Sequence, residues 1–186
     1  NPPVKKVSEP YYDTPNFGRA GLAYVAGYLR ETIDCEVVIV DSKLERLDFE
    51  QTLERIENFR PDVIGFTAFT NEIKPAAQMS KLAKSHLPDM VSVIGGVHVT
   101  ALPKETLIEF PEFDLAVYGE GELTFSELCQ ALDQGNSITE IDGLGYRDLG
   151  KIHVTNPRER AFDLDAIPFP AWDLLPGAAT YFIQVS

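Results

Sequence analysis

The sequence is short of nearly everything a self-contained catalytic or metal centre needs. Its 186 residues hold two cysteines, Cys35 and Cys129, and three histidines, His86, His98 and His153. Neither cysteine belongs to a C-x-x-C pair or a Cys/His array, which argues against a zinc or iron–sulfur site within this stretch. Both are expected as buried thiols of a protein from the reducing cytoplasm. His86 and His153 fall on a helix end and in a hairpin, with no partner at ligand spacing. Basic residues are also scarce. Lys and Arg number 16 against 29 acids, for a net charge of −13. Phosphate backbones need clustered cations, so nucleic acid is excluded as a main partner. No apolar run approaches the roughly 20 residues that span a bilayer, and no signal peptide is visible. There is no P-loop and no Ser/His/Asp set, so no catalytic and no metal-ligating residue is assigned. The chain opens on Asn1-Pro2-Pro3, without Met, and stops at Ser186 after an apolar run. It reads as part of a longer polypeptide.

What is present is a strand–helix alternation. After a Pro- and Tyr-rich loop over residues 1–16, Leu22, Val25, Ala26 and Leu29 recur at helical spacing. Cys35 to Val40 is a β-branched run ending at Asp41, the pattern of a buried parallel strand. A helix from Leu47 to Phe59 follows, then a strand from Val63 to Phe69 and a helix from Glu72 to Leu87. The next strand, Met90 to Ile94, precedes a short helix from Lys104 to Phe110. A fourth strand, Phe113 to Tyr118, leads to a helix from Leu123 to Gln134. Such alternation predicts an α/β, Rossmann-like (flavodoxin-like), doubly wound parallel sheet over residues 1–140. Asp148-Leu149-Gly150-Lys151 marks a β-hairpin within 141–156. Residues 157–186 read as a Pro-rich linker followed by a strand, Tyr181 to Val185. The first helix lacks a strand before it, because residues 1–10 make a poor one. A central strand cannot be omitted without leaving backbone groups unpaired.

The candidate site residues gather where strands end. Ligands of open α/β sheets bind beyond the carboxyl ends of strands. Gly95 and Gly96, with His98 and Thr100 after them, form the first corner. A tight turn alone would explain the glycines; the histidine and threonine exceed what a turn needs. Gly119-Glu120-Gly121-Glu122 forms the second corner. Its acids suit a helix N-terminus and would repel phosphate, so the corner suits a neutral, amide-bearing ligand. Thr67, Phe69 and Thr70 end a third strand, with Thr70 or Asn71 as an expected helix cap. Asp41 and Ser42 end the Cys35–Val40 run, where an Asp is often a turn residue.

Read in order, Gly21-Leu22-Ala23-Tyr24-Val25-Ala26-Gly27-Tyr28-Leu29, Pro61-Asp62-Val63-Ile64-Gly65-Phe66-Thr67, Gly95-Gly96-Val97-His98-Val99-Thr100, Gly119-Glu120-Gly121-Glu122 and Pro168-Phe169-Pro170-Ala171-Trp172-Asp173-Leu174-Leu175-Pro176, with Asn1-Pro2-Pro3, resemble one family. It is the cobalamin-binding domain of cobalamin-dependent radical S-adenosylmethionine enzymes, such as the anaerobic magnesium-protoporphyrin monomethyl ester cyclase and the hopanoid methylases. The resemblance implies a corrin over the strand ends, with the nucleotide tail near Thr67, Phe69, Gly95 and Gly96, and Gly119 to Glu122 at the corrin side chains. Many cobalamin domains carry Asp-x-His-x-x-Gly, whose histidine binds cobalt. Asp41-Ser42-Lys43-Leu44-Glu45-Arg46 has Lys43 in that place, and a protonated lysine cannot ligate. The implied state is base-off cobalamin. A [4Fe–4S] cluster and S-adenosylmethionine would belong to a barrel domain of the parent, and this chain would bind cofactor only.

Two other classes stay open on sequence grounds. A receiver-like signalling domain would need an acidic pair beside a phosphorylatable Asp, and Asp41 has none. A flavin or nucleotide binder would need a phosphate-cradling loop after the unseen first strand. The apolar Tyr181–Val185 segment is further expected to pair with an exposed sheet edge, in its own chain or as a strand-exchanged homodimer.

Overall fold

A computed structural model describes residues 19–159 and 167–176. The expected strand at Tyr181–Val185 therefore lies outside the described residues. Six helices and five strands follow in order: α1 (Ala20–Thr32), α2 (Phe49–Phe59), β1 (Val63–Thr67), α3 (Ile73–His86), β2 (Val91–Gly95), α4 (Val97–Ala101), α5 (Pro103–Glu109), β3 (Leu115–Val117), α6 (Gly121–Gln134), β4 (Leu144–Asp148) and β5 (Lys151–Val154). One sheet runs in the order β1-β2-β3-β4-β5. β1, β2 and β3 are parallel, with Phe66 opposite Ile94 and Val93 opposite Leu115. This is the Rossmann-like α/β fold that the alternation predicts. The hairpin β4–β5 adds to it antiparallel, Leu144 pairing with Val117. It extends the sheet rather than hanging from it.

Side-chain alternation along the strands splits the core in two. Phe66, Ile94 and Ala116 face α2 and α3, meeting Ile56, Met79 and Phe113. Val93, Leu115 and Val117 face the other way, onto Leu128, Ala131 and Leu144. Each such large side chain contributes about 1.5–3 kcal/mol on burial. α1 packs on α6 in the second layer, and a hydroxyl pair, Thr32 with Ser126 at 2.7 Å, joins them. Asp48 caps α2 by accepting from the Gln51 amide at 2.9 Å, while Gln51 accepts in return from the Asp48 amide. Gly135 ends α6 in the left-handed conformation that favours glycine.

Cys35–Val40 departs from expectation. It joins no ladder among the described residues, and Val38 is 49% exposed. Cys35 is exposed, not buried as its apolar neighbours suggest. Cys129 is the sequestered thiol, pushed by burial up to about 12, so it is protonated at neutral pH. The helix α4 was also unexpected. It starts directly after Gly96, within the stretch read as a glycine corner.

The Pro-rich segment folds back on α1. The Ala171 amide donates to the Ala23 carbonyl at 2.8 Å. Arg30 holds Asp173 through two hydrogen bonds at 2.8 and 3.0 Å. Gly27 makes the contact available, because a Cβ there would stand 2.5 Å from the Phe169 carbonyl oxygen. A Gly27→Val variant is therefore expected to release residues 168–175. Chymotryptic cleavage beside Trp172 should rise about tenfold while α1 itself, which favours valine over glycine, stays folded. Unchanged cleavage would show that the segment is not held at Gly27.

Candidate functional site

The carboxyl ends of β1, β2 and β3 lie side by side, and hydrogen bonds stitch their corners together. The Gly119 amide donates to Thr100 Oγ1 at 3.1 Å, tying the third strand end to α4. His98 Nδ1 lies 3.1 Å from Thr70 Oγ1, tying α4 to the end of β1. The Ala68 amide donates to the Gly95 carbonyl at 3.2 Å. His98 and Thr100 thus have structural partners that a turn reading did not anticipate.

The four site glycines differ in what they do. Gly96 has φ +104°, and a Cβ on it would sit 2.9 Å from the Ala68 carbonyl oxygen and 3.0 Å from Thr67 Oγ1. It lets β1 and β2 end in contact. A Cβ at Gly95 would meet the Val117 carbonyl oxygen at 3.4 Å and the Phe66 carbonyl oxygen at 3.9 Å, both ordinary contacts. Gly119 has φ +76° with nothing within 4 Å of a Cβ, so it faces open space. Gly121 begins α6 beside Val25. Glu120 is exposed and Glu122 half-buried over this opening. Phe69 and Val97 add apolar rims, 46% and 62% exposed.

Thr67, Gly95, Gly96, Gly119, Glu120, Gly121 and Glu122 border one large cavity, as does Ser42. Phe69, Thr70, His98 and Thr100 stand on the same face outside that lining. Asp41 is fully buried, and its Oδ1 accepts from the Leu44 amide at 3.1 Å. Ser42 is buried too, its hydroxyl 2.9 Å from that of Thr52. These two hold the turn after residue 40.

Beside the crevice lies a charge cluster that sequence reasoning missed. Glu72, 2% exposed, receives Arg19 at 2.7 and 2.8 Å, Lys43 at 2.7 Å and the Phe69 amide at 3.0 Å. The Arg19 guanidinium also lies 4.2 Å from the centre of the Phe69 ring. Burial alone would push the Glu72 carboxyl up. The Lys43 hydrogen bond, the Phe69 amide and Arg19 outweigh that and leave it below its ordinary value. Glu72 occupies the N-cap position of α3 without a capping bond, in place of the expected cap, Thr70 or Asn71. Its spacing from Lys43, 29 residues away, gave no sequence signal.

The crevice therefore offers two carboxylates and apolar rims, and Arg19 and Lys43 beside it are paired with Glu72. That chemistry fits a broad, uncharged ligand carrying amide N–H groups, as a corrin does. A family model described as a B12 binding domain matches residues 7–129. The chain belongs to the B12-binding domain family.

Relatives of this B12-binding domain include an uncharacterized methyltransferase of Pyrococcus horikoshii, 42% identical over 156 residues, which cover 84% of this chain and 34% of that protein. The anaerobic magnesium-protoporphyrin IX monomethyl ester cyclase of Rubrivivax gelatinosus is 36% identical over 175 residues, covering 92% of this chain and 31% of the cyclase. The chain thus spans about a third of the length of these relatives. Among solved structures, the cobalamin-dependent S-adenosylmethionine radical enzyme OxsB, with aqua-cobalamin and S-adenosylmethionine bound, superposes with a TM-score of 0.73 at 22% identity. The match covers 85% of this chain and 22% of OxsB. The methyltransferase TsrM of Kitasatospora setae, with cobalamin and a [4Fe–4S] cluster bound, gives 0.63 at 20% identity over 84% of this chain and 29% of its own. No helix among the described residues is long and apolar enough to cross a membrane.

Proposed function

We propose that this B12-binding domain holds cobalamin with the corrin laid across the ends of β1, β2 and β3. The observation that carries the reading is the second corner. There open space over Gly119 adjoins the carboxylates of Glu120 and Glu122, on the face where Phe69 and Val97 are exposed. Corrin side-chain amides would donate to the carboxylates. Gly95, Gly96 and Thr67 would border the nucleotide tail, and Phe69 with Val97 would pack on the ring edge. Bound cobalamin supplies a cobalt that can carry a methyl group or serve as a radical partner.

The base-off state rests on Lys43, whose ammonium is committed to Glu72 and has no lone pair for cobalt. In the longer protein, a cytoplasmic radical S-adenosylmethionine domain with its cluster would follow the Pro-rich segment. The reaction would be methyl transfer or oxidative cyclisation, as the names of the relatives suggest.

The test is reconstitution with hydroxocobalamin, then desalting and a visible spectrum. Corrin absorption should stay with the protein. Glu120→Ala with Glu122→Ala should raise Kd about thirtyfold, the loss of two partly exposed charge-assisted hydrogen bonds at about 1 kcal/mol each. The melting temperature should fall by only a few degrees, from the loss of two acids at the start of α6. After reduction to cob(II)alamin, the electron paramagnetic resonance spectrum should lack nitrogen superhyperfine splitting. Loss of all corrin on desalting would overturn the binding reading. Nitrogen splitting would overturn the base-off state, and its loss in His98→Ala would name the ligand.

A further inference from the structure

The stretch Gly95-Gly96-Val97-His98-Val99-Thr100 sets a histidine and a threonine two positions apart on α4. At 3.6 residues per turn, about 200° separates two such side chains, so they leave the helix on opposite flanks. β2, which leads into α4, has β1 on one side and β3 on the other. Each flank reaches one of these neighbours. His98 Nδ1 lies 3.1 Å from Thr70 Oγ1, just past the end of β1. Thr100 Oγ1 accepts from the Gly119 amide at 3.1 Å, just past the end of β3. Between the two, Val99 is fully buried in the core, where α4 packs on β2, β3 and α5. The helix is thus seated by one apolar side chain and held from both sides by polar ones.

These links absorb the polar groups that a ligand would otherwise use. The Gly119 N–H is spent on Thr100, and Nδ1 of His98 on Thr70. Each link also stands one residue from a group that faces the corrin in the reading above. Thr70 follows Phe69 and His98 follows Val97, the two exposed apolar side chains of the rim. Gly119 precedes Glu120. We infer that His98 and Thr100 are positioning residues: they pin α4 between the ends of β1 and β3, fixing the spacing of the Phe69–Val97 rim and the Glu120 corner without touching the corrin. The inference rests on the cobalamin reading and goes beyond it, assigning these two side chains to the shape of the crevice and not to its contact surface.

Covalent geometry supplies the test for the histidine. Nδ1 is two bonds from Cβ, as is the side-chain nitrogen of asparagine; Nε2 is three bonds away, as is that of glutamine. A role through Nδ1 and Thr70 is rescued by asparagine. A role through Nε2, the nitrogen left for a ligand, is rescued by glutamine. The 186-residue protein is titrated with hydroxocobalamin and Kd is read from the visible spectrum. His98→Leu and Thr100→Val should each raise Kd about fivefold, the order of one hydrogen bond. His98→Asn and Thr100→Ser should stay within about twofold of the wild type. The double variant, His98→Leu with Thr100→Val, should fall well short of the product of the two losses, because the first cut already frees α4. A second readout needs no cofactor. Exchange of the Gly119 amide, followed by nuclear magnetic resonance in the free protein, should speed about tenfold in Thr100→Val and return to the wild-type rate in Thr100→Ser. Rescue of His98 by glutamine and not by asparagine, or losses that multiply, would mean direct contact with the ligand and overturn the inference. Unchanged Gly119 exchange in Thr100→Val would overturn it as well. Wild-type protein that retains no corrin would instead defeat the cobalamin reading, and Gly119 exchange would then decide alone whether Thr100 pins α4.

Discussion

Replacing Gly96 with alanine is expected to destabilise the domain by about 3 kcal/mol and to lower its melting temperature by about 6–12 °C. Two costs add at that position. The backbone, at φ +104° and ψ −179°, lies in a region essentially reserved for glycine. The new methyl group would also press on the Ala68 carbonyl oxygen at 2.9 Å and the Ala68 nitrogen at 3.1 Å. Both are backbone atoms of the adjoining strand end and cannot swing aside. Gly119→Ala is the matched comparison. It carries a positive φ but no clash, so about 1 kcal/mol is expected. Thermal unfolding of the two variants checks this. Equal losses would show that the approach of β1 to β2 at Gly96 is not what the residue serves.

Glu72→Gln is expected to cost about 3 kcal/mol, because Arg19 and Lys43 would remain half-buried without their counter-charge. The pH dependence follows from the carboxyl being held below its ordinary value in the folded state. Such a group adds stability that is present in full above its unfolded value, about 4.3, and is lost as pH falls through the folded one. The stability gap between the wild type and Glu72→Gln should be flat from pH 7 to about 5, then close below about 4. Denaturant melts at several pH values measure it. A gap that persists at low pH would mean the substitution acts through packing. Adding Lys43→Met to Glu72→Gln should recover part of the loss, since it removes one stranded charge.

The contrast between these residues shows what a sequence can disclose. Gly96 was visible because a glycine pair after a β-branched run marks a strand end, and strand ends in this fold class converge. The parallel core was visible for the same reason. The periodicities around Leu53, Met79, Val93 and Leu128 are local, and each segment buries the face its own pattern defines. Glu72 was invisible as the centre of a cluster. Arg19, Lys43 and Phe69 reach it from separate segments, and nothing in their spacing announces the meeting. Helix α4 was hidden because Val97, Val99 and Thr100 are β-branched and poor helix formers; its start beside Gly96 and its contacts with β2, β3 and α5 override that preference. The Cys35–Val40 run was readable as strand material, yet a strand also needs a neighbour. Its pattern described the chain's preference, and among the described residues the run joins no ladder.

The hairpin at the other end of the sheet bears on how the protein behaves in concentrated solution. β4 covers β3, and β5 closes the series with only four residues, led by an exposed Lys151. A short edge with a lysine resists recruitment of further chains. Fibre growth by backbone pairing requires every molecule to offer an adhesive border on both flanks, and this one is blunted on its hairpin flank. Association through the sheet is thereby terminated after one step, yielding small closed species and not polymers.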